Sequence, residues 1–381
     1  MYINEFSNDK VIVMKFGGTS VRSEEARSSA IKHIRKHTES GKKLVVVVSA
    51  MGRKGEPYAT DTLIELLKNE GEPINAEELD KIMSIGETLS SVFFSHLLNQ
   101  NGLPAQSFTG RQAGILTDDN PGNSEILKID PTRIIKALNK EIIAVVAGFQ
   151  GATHEGDVRT LGRGGSDTTA VALGVALNAK RVEIYSDVDG VAICDPKKIT
   201  SASFVESISA NQILTMANEG SSIIHPRAVK ESLKTKTTIV ARNTFSDSPG
   251  TEIFHNEKHE KRGLVTLTHK ENMILITIGD FTNMIKKVPE IIRIDEYRFL
   301  SKNDIYLDKN LKLLRKYANI LKVEESWATI SVVFDDTATK VKKIKEAEII
   351  PSSKNVIRYL LKEEYLDSSL KMLFDQYIAE K

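Results

Sequence analysis

The chain has 381 residues, of which 40% are hydrophobic, and this length predicts about two to three domains with ordinary apolar cores. Lys and Arg number 52 against 51 Asp and Glu, and the resulting formal net charge of +1 excludes the strong field of a nucleic-acid or anionic-membrane binder. Small-molecule partners are therefore favoured. The longest apolar runs are too short to span a membrane and the one cysteine, Cys194, cannot form an internal disulfide, so we expect a cytoplasmic protein.

Short apolar runs alternate with helical stretches through the first two thirds of the chain. The run at residues 11–14 ends in KFGGTS and precedes an amphipathic helix pattern, and the same form recurs in LVVVVSAMG, EIIAVVAGFQG and RVEIYSDVDGV. Continuous apolar runs are typical of parallel strands that are buried on both faces. Ligands of open parallel sheets bind beyond the carboxyl ends of the strands, so we expect these four loops to form one site.

A change of composition near residue 245 predicts a domain boundary. The domains expected are 1–245, a charged and Ser/Pro/Gly-rich linker at 246–262, and a small α+β domain at 263–381. In the last domain, NMILITIG and WATISVVFD predict strands. NLKLLRKYANIL predicts a helix with apolar residues at Leu311, Leu314, Ala318 and Leu321, and the segment from Lys354 onwards predicts one or two helices.

The stretch GRGGSDTTA, residues 162–170, joins a predicted strand to a predicted helix and has the composition of an anion site. Its glycines let the backbone approach a ligand, and Arg163 adds a permanent cation. We expect Ser166 to cap the following helix, with Asp167 in its first turn. The helix N-terminus would then face the bound anion.

Lys15 follows the first strand and precedes Gly17 and Gly18, so its ammonium could lie over a phosphate held by backbone N–H groups. Taken alone, KFGG fits a glycine turn beside a solvated lysine better than a phosphate site. The Walker spacing GxxxxGK[ST] and the kinase elements HRD and DFG are absent from the sequence. With GRGGSD and SDVDGV at other strand ends, however, the set supplies the cation, anion cradle and carboxylates that phosphoryl transfer requires.

Five elements in order resemble the aspartate kinases of the amino-acid kinase superfamily: KFGGTSV, SIGETLS, GFQGAT, LGRGGSDTTA and SDVDGVAICDP. The resemblance covers about residues 10 to 262, and VVVVSAMGRKGEPYATDTL is similar to the short Gram-positive type. It implies an amino-acid-kinase-like α/β/α sandwich with a mainly parallel sheet, followed by a small α+β ACT-like domain.

The resemblance also implies a reaction. The γ-phosphoryl group of ATP would be transferred to the β-carboxylate of L-aspartate, giving 4-phospho-L-aspartate at the head of lysine, threonine and methionine synthesis. The acceptor carboxylate is ionised at pH 7, so the site needs no general base and acts by positioning and charge neutralisation. Mg²⁺ is inferred from this chemistry, with no direct protein ligand implied, and a homodimer or higher homo-oligomer is expected.

By motif match, Lys15 would neutralise the transferring phosphoryl group and Asp167 would organise Lys15. Arg163 would pair with the substrate α-carboxylate and Glu87 with its ammonium. The other implied substrate-binding residues are Ser49, Thr60, Phe149, Gly164 and Ser166. The implied nucleotide-binding residues are Lys15, Gly17, Gly18, Ser186, Asp187, Lys197 and Ser222. Structural alternatives remain open at three positions: a surface salt bridge for Arg163, a helix-end role for Glu87 and a turn-forming role for Asp187.

The sequence departs from the family pattern near the nucleotide phosphates. Ser222 stands where the family has a phosphate-binding lysine, and Lys197 stands where it has an arginine. Lys198 or Arg227 could compensate. The C-terminal region is too short for the usual pair of ACT modules, although LRKYANILKVEESWATISVVFDD resembles the helix, strand and strand of one module, so we expect little or no response to lysine and threonine. Two other readings are a kinase of another amino or carboxylic acid and a catalytically weak regulatory or binding subunit.

Overall fold

Strands and helices alternate along most of the chain. The computed structural model describes residues 10–221, 223–235, 237–255, 265–281, 291–303, 307–316, 318–334 and 340–379. The strands are β1 (Val11–Phe16), β2 (Lys43–Val48), β3 (Ala105–Phe108), β4 (Ile115–Thr117), β5 (Ile126–Ile129), β6 (Ile143–Ala147), β7 (Gln150–Ala152), β8 (Val158–Thr160), β9 (Arg181–Ser186), β10 (Ser207–Ser209), β11 (Thr238–Asn243), β12 (Thr251–Phe254), β13 (Val265–Phe281), β14 (Ile292–Arg293), β15 (Arg298–Lys302), β16 (Ala318–Phe334), β17 (Ala347–Ile350) and β18 (Val356–Lys362).

The α-helices are α1 (Gly18–Val21), α2 (Glu24–Glu39), α3 (Thr60–Glu70), α4 (Ala76–Gln100), α5 (Thr132–Asn139), α6 (Gly165–Ala176), α7 (Ala210–Asn218), α8 (Pro226–Thr235), α9 (Leu307–Leu314) and α10 (Leu366–Phe374). A 3₁₀ turn at Glu363–Tyr365 precedes α10, and a π-helical turn at Asp375–Ala379 follows it. None of the helices in the described part of the chain is long and apolar enough to cross a membrane.

An eight-stranded sheet has the order β10-β12-β11-β9-β1-β2-β6-β3, and β12 is antiparallel to β11 while the other neighbouring strands are parallel. The predicted mainly parallel α/β fold is therefore confirmed. Its central strands are rich in buried β-branched and other apolar residues, as the continuous apolar runs predicted. The predicted amphipathic helix is α2, whose N-cap Ser23 accepts a hydrogen bond from the Ala26 N–H at 3.1 Å.

The chain divides into two compact units. The first comprises residues 1–191, 204–214 and 222–256, and the second comprises 192–203, 215–221 and 257–381. The first unit holds the eight-stranded sheet and a small sheet of order β5-β4-β7-β8. Strand β12 belongs to the eight-stranded sheet and falls within the segment predicted as a linker.

The second unit holds a six-stranded antiparallel sheet of order β14-β15-β13-β16-β18-β17. Apolar clusters pack on it, one of which contains Ile276, Phe299 and Leu314. A buried ion pair adds to this core, because Glu219 accepts hydrogen bonds from Arg358 Nε at 2.9 Å and from Ser331 Oγ at 2.6 Å. The unit is therefore α+β, and more of its described residues lie in strands than in helices.

Three predictions for the second unit are wrong. The predicted helix over NLKLLRKYANIL ends at Leu314, and Ala318 begins β16, which is one long strand where two were expected. Residues 356–362 of the predicted terminal helix form β18. Apolar residues three and four apart are compatible with a strand when cross-strand neighbours bury alternate positions, and pairing of β16 with β13 and β18 supplies those neighbours.

Candidate functional site

Four neighbouring strands of the first unit end in line at one edge of the sheet. In the parallel register, Phe16 of β1 lies opposite Val48 of β2 and Tyr185 of β9, and Val48 lies opposite Ala147 of β6. The loops that follow these strands therefore start side by side, as the sequence predicted. They carry the sequences GGTS, SAMG, GFQG and DVDG.

An ion pair between Lys15 and Asp167 lies at this edge. Lys15 is near the end of β1 and Asp167 is in the first turn of α6, and Lys15 Nζ lies 2.7 Å from Asp167 Oδ1. The two side chains are 13% and 12% exposed, so the pair is largely shielded from solvent. A Cβ on Gly17 would lie 3.4 Å from Lys15 Nζ, so the ammonium passes directly over Gly17. Asp167 thus fixes a cation above the glycine turn.

The glycine-rich stretch leads into α6 as predicted, but Ser166 is not the helix cap. Gly164 is the N-cap, in the left-handed region at φ 74°, and makes no side-chain cap hydrogen bond. A glycine is required there because a side chain would be strained in this conformation and its Cβ would overlap the His225 ring. Ser166 lies two residues further on, in the first turn of α6, and its side chain packs against Gly148. The N-terminus of this 12-residue helix faces the same edge as Lys15.

Glu87 is a buried carboxylate with one unsatisfied oxygen. It lies in the middle of α4, so the helix-end alternative for it is wrong. Its side chain is 4% exposed, and Oε1 accepts a hydrogen bond from the Ala50 N–H at 3.1 Å, while Oε2 has no hydrogen-bond partner among the described residues. Burial raises the pKa of Glu87 to about 7, against the lowering effects of the Ala50 N–H and the Lys15 charge. A cationic ligand group would satisfy this oxygen.

The other predicted substrate-binding residues lie in the first unit, on elements that reach this edge. Ser49 follows β2 and donates its N–H to the Phe16 carbonyl at 3.1 Å, and Thr60 begins α3. Phe149 has a left-handed backbone at φ 68°, rare outside glycine, and is held by the Thr169 hydroxyl, which accepts its N–H at 3.1 Å. Arg163 is exposed and makes no ion pair with the described residues, which excludes a surface salt bridge within them.

The predicted nucleotide-binding residues are divided between the units. Ser186 ends β9, Asp187 follows it, and Asp187 Oδ2 lies 3.6 Å from an Arg53 guanidinium nitrogen. Lys197 belongs to the second unit, where its N–H donates to Asp195 Oδ1 at 2.9 Å. Ser222 lies outside the described residues. Of the two cations that could compensate, Lys198 pairs with Glu271 and Asp367 in the second unit.

Arg227, the other possible compensating cation, binds backbone carbonyls. Its guanidinium donates to the carbonyl oxygens of Leu161 and Ser124. Arg227 therefore holds the glycine-rich stretch in place from the side. The sequence prediction also missed His225, whose N–H donates to Asp167 Oδ2 at 3.3 Å. Its position next to Pro226 in the GSSIIHP element was the available signal, but a contact between residues 58 positions apart cannot be derived from spacing.

A second buried carboxylate, Glu183, lies in the middle of β9. It accepts a hydrogen bond from the Tyr185 hydroxyl at 2.8 Å, and it lies 3.0 Å from His37 Nε2 and 2.7 Å from Arg181 Nε. Burial alone would raise the pKa of Glu183, but the neighbouring His37, Arg242 and Arg181 outweigh it and lower the pKa to about 2. His37, Arg181 and Arg242 lie against the two oxygens of this carboxylate, although Oε1 has no hydrogen bond among the described residues. These ion-pair partners indicate a structural role.

Within the described residues, no group of three or more His, Cys, Asp or Glu side chains could hold a metal ion. Asp167 is the buried carboxylate at the glycine-rich edge, and a single carboxylate with nearby hydroxyls suits a metal that arrives bound to phosphates. The arrangement can thus neutralise a polyanion and orient it, with Lys15 and the α6 N-terminus as the positive groups.

Comparison with known proteins identifies the family of the chain. A family model described as the Amino acid kinase family matches residues 10–242. The chain is 46% identical over 242 residues to Aspartokinase 1 of Bacillus subtilis, a match that covers 64% of this chain and 60% of that protein. It is 32% identical over an alignment of 418 residues to the Aspartokinase of Corynebacterium glutamicum, covering 96% of each. The chain thus spans less than two thirds of the Bacillus relative's length.

The fold is similar to solved structures. A crystal structure of E. coli aspartokinase III in complex with aspartate and ADP superimposes with a TM-score of 0.74 over 97% of this chain and 100% of that chain, at 21% identity. A structure of Clostridium acetobutylicum aspartate kinase gives a TM-score of 0.72 at 20% identity. At these identities the likeness concerns the fold alone. Taken with the family model and the sequence relatives, the chain belongs to the amino acid kinase family and, within it, to the aspartokinases.

Proposed function

We propose that this protein is an aspartate kinase, which transfers the γ-phosphoryl group of ATP to the β-carboxylate of L-aspartate. The observation that carries the proposal is the pairing of two unlike features at one sheet edge. The shielded Lys15–Asp167 ion pair presents positive charge above a glycine turn, and Glu87 presents a buried, unsatisfied oxygen. The first suits a phosphoryl group and the second suits an ammonium group.

Lys15 neutralises the charge on the phosphoryl oxygens as the group moves between donor and acceptor. Asp167 holds the ammonium in place through the 2.7 Å ion pair, and the His225 N–H holds Asp167 in turn. Backbone N–H groups at Gly17, Gly18 and the start of α6 complete the anion cradle. The acceptor carboxylate is already ionised, so the residues act by positioning and electrostatic stabilisation rather than by removing a proton.

Glu87 binds the substrate ammonium and Arg163 binds its α-carboxylate in a bidentate geometry. Ser49, Thr60, Phe149, Gly164 and Ser166 line the rest of the substrate site. With both ends of the amino acid fixed, the β-carboxylate is the free group that points to the phosphates. This arrangement favours aspartate over acids that lack the ammonium, which is the property that separates this proposal from a kinase of another carboxylic acid.

The nucleotide would lie along Gly17 and Gly18, with Ser186 and Asp187 at its base and ribose and with Lys197 and Ser222 near the phosphates. Mg²⁺ would enter with ATP, bound to the phosphate oxygens without a direct protein ligand, and Asp167 would organise the metal-bound phosphates. When bound, the ion offsets negative charge on the phosphate oxygens. We also propose a cytoplasmic location and a homodimer or higher homo-oligomer, which light scattering of the purified protein measures.

We propose that a reduced ACT-like region at about 263–381 makes up most of the second unit, which also includes residues 192–203 and 215–221. Its antiparallel sheet supports this assignment. Such a region would maintain folding or assembly and respond little to lysine or threonine. The catalytic domain predicted at 1–245 extends into the predicted linker at 246–262, because β12 belongs to the eight-stranded sheet.

The test of the proposed function is ADP release with MgATP and either L-aspartate or succinate, which has the same two carboxylates but no ammonium. An aspartate kinase turns over L-aspartate and leaves succinate almost untouched. Equal turnover of both acids would identify a kinase of another substrate class. Failure of a folded protein to turn over any acid would identify a regulatory or binding subunit.

A further inference from the structure

The loop between β2 and α3 touches the glycine turn after β1. A Cβ on Gly18 would lie 2.8 Å from the Ala50 carbonyl oxygen and 3.1 Å from that of Gly52, so this loop packs directly on Gly18. Gly52 itself has a left-handed backbone at φ 92°. The next residue, Arg53, therefore begins at the rim of the glycine turn.

The Arg53 side chain joins the loops on either side of β1. It starts on the loop after β2, and its guanidinium nitrogen lies 3.6 Å from Asp187 Oδ2, on the loop after β9. In the sheet, β1 lies between β2 and β9. The Arg53–Asp187 contact therefore lies at the edge of the sheet where β1 ends, the edge that also carries Lys15 and Gly17.

The contact between Arg53 and Asp187 is easily exchanged. The side chains are 66% and 53% exposed, and an ion pair in this setting contributes little because water competes for both partners. The backbone of the loop is fixed, in contrast, because the Arg53 N–H donates to Glu56 Oε2 at 2.6 Å and the Glu56 N–H donates to the Arg53 carbonyl at 2.9 Å. Only the side chain would have to turn to reach a new anion.

We propose that Arg53 binds the β- and γ-phosphate oxygens of the nucleotide, leaving Asp187 when the phosphates occupy the end of β1. The inference rests on the proposed function, which places a nucleoside triphosphate along Gly17 and Gly18. A guanidinium presents a planar fork that matches two phosphate oxygens, whereas the Lys15 ammonium is a single point of charge already paired with Asp167. Arg53 thereby supplies a second cation at the transferring group.

The test measures the affinities of MgATP, MgADP and AMP by calorimetry, without aspartate, for the wild type, Arg53→Ala and Arg53→Lys. Loss of a charge-assisted contact in Arg53→Ala weakens MgATP binding by about tenfold to a hundredfold and MgADP binding less, while AMP binding stays within about twofold of the wild type. Arg53→Lys retains the charge and recovers part of the loss. Lys54→Ala is the matched control, because Lys54 is the adjacent exposed cation and pairs with Glu65 at 2.8 Å.

An equal loss for AMP and MgATP would overturn the proposal, because the effect would then arise at the ribose or base through Asp187. Unchanged MgATP binding in Arg53→Ala would overturn it as well, as would a wild type that binds no nucleotide. The binding measurement is independent of turnover. A wild type that binds MgATP through Arg53 but does not phosphorylate L-aspartate would contradict the proposed function and leave this inference standing.

Discussion

Two buried carboxylates of the first unit show how differently the fold treats the same group. Glu87 and Glu183 are 4% and 0% exposed, and both lie in the middle of regular elements. Glu183 is surrounded by Tyr185, His37 and arginine side chains, and its pKa falls to about 2. Glu87 keeps one oxygen without a described partner, and its pKa rises to about 7. The difference is that cationic side chains of the protein lie against both oxygens of Glu183, whereas Glu87 has no ion-pair partner among the described residues. In the proposed function, the substrate ammonium satisfies Glu87.

The largest effect is expected from removing the cation that faces Glu87. Lys15→Ala should lower kcat by about a thousandfold, because a positive group aimed at the phosphoryl oxygens is lost. The measurement is aspartate-dependent ADP release, with circular dichroism to confirm the fold and Lys36→Ala on the surface of α2 as the control. Retained turnover in Lys15→Ala would show that the ion pair with Asp167 is only structural.

Replacing Glu183 should affect stability and leave catalysis intact. Glu183→Gln leaves the arginines and His37 around a neutral amide. The first unit should lose about 3 kcal/mol of unfolding free energy. This is the lower end of the range for a broken buried ion pair, because the arginine side chains are partly exposed. Chemical denaturation followed through the unfolding of the first unit measures the loss, and kcat should be close to wild type. A stable variant with low kcat would place Glu183 in the site.

Glu183 should also make the stability of the first unit depend on pH in the acid range. The pKa of Glu183 is lowered on folding from 4.5 to about 2, so its contribution to stability is present above pH 4.5 and is lost as pH falls towards 2. The wild type should therefore lose stability more steeply across this range than Glu183→Gln does. If the free energy of unfolding changed with pH by the same slope in both proteins, this assignment would be contradicted.

Replacing Glu87 should affect substrate affinity. Glu87→Gln should raise KM for L-aspartate by about tenfold to a hundredfold with a smaller change in kcat, because a charge-assisted hydrogen bond to the ammonium is lost. In the wild type, the carboxylate form accepts the ammonium, so KM for L-aspartate should fall as pH rises through about 7, the pKa of Glu87. The variant should lack this dependence, and a pH profile that is the same in both proteins would remove Glu87 from the substrate site.

The smallest effect is expected from end-product amino acids. Millimolar lysine or threonine should change aspartate-dependent turnover by less than about fivefold, the lower end of ordinary allosteric coupling. The effect is measured by comparing steady-state rates with and without each amino acid, at substrate concentrations near KM. Strong inhibition would show that the second unit retains a working effector site.

Local patterns in the sequence predicted much of the first unit. The apolar runs of β1, β2, β6 and β9 identified parallel strands, and the loops that follow them meet as the parallel-sheet rule requires. Lys15 and Asp167 were placed together by motif. Their contact joins residues 152 positions apart in the chain, a distance at which periodicity carries no information.

The wrong predictions share one physical cause: tertiary neighbours, rather than local sequence, decided the conformation or role of these residues. Residues 318–321 fit a helix stripe, yet pairing with β13 makes them a strand. Ser166 has the chemistry of a cap, but the left-handed turn at Gly164 takes that position. The partners of Glu183 come from α2, β9 and β11, so no local pattern distinguishes its role from that of Glu87.

The most direct measurement is trapping of the product with hydroxylamine during turnover of MgATP and L-aspartate. An acyl phosphate reacts to give a hydroxamate, and an aspartate kinase should form aspartyl hydroxamate in step with ADP. That result would establish a carboxylate of L-aspartate as the phosphoryl acceptor. Release of ADP without hydroxamate, or no turnover by a folded protein, would contradict the account.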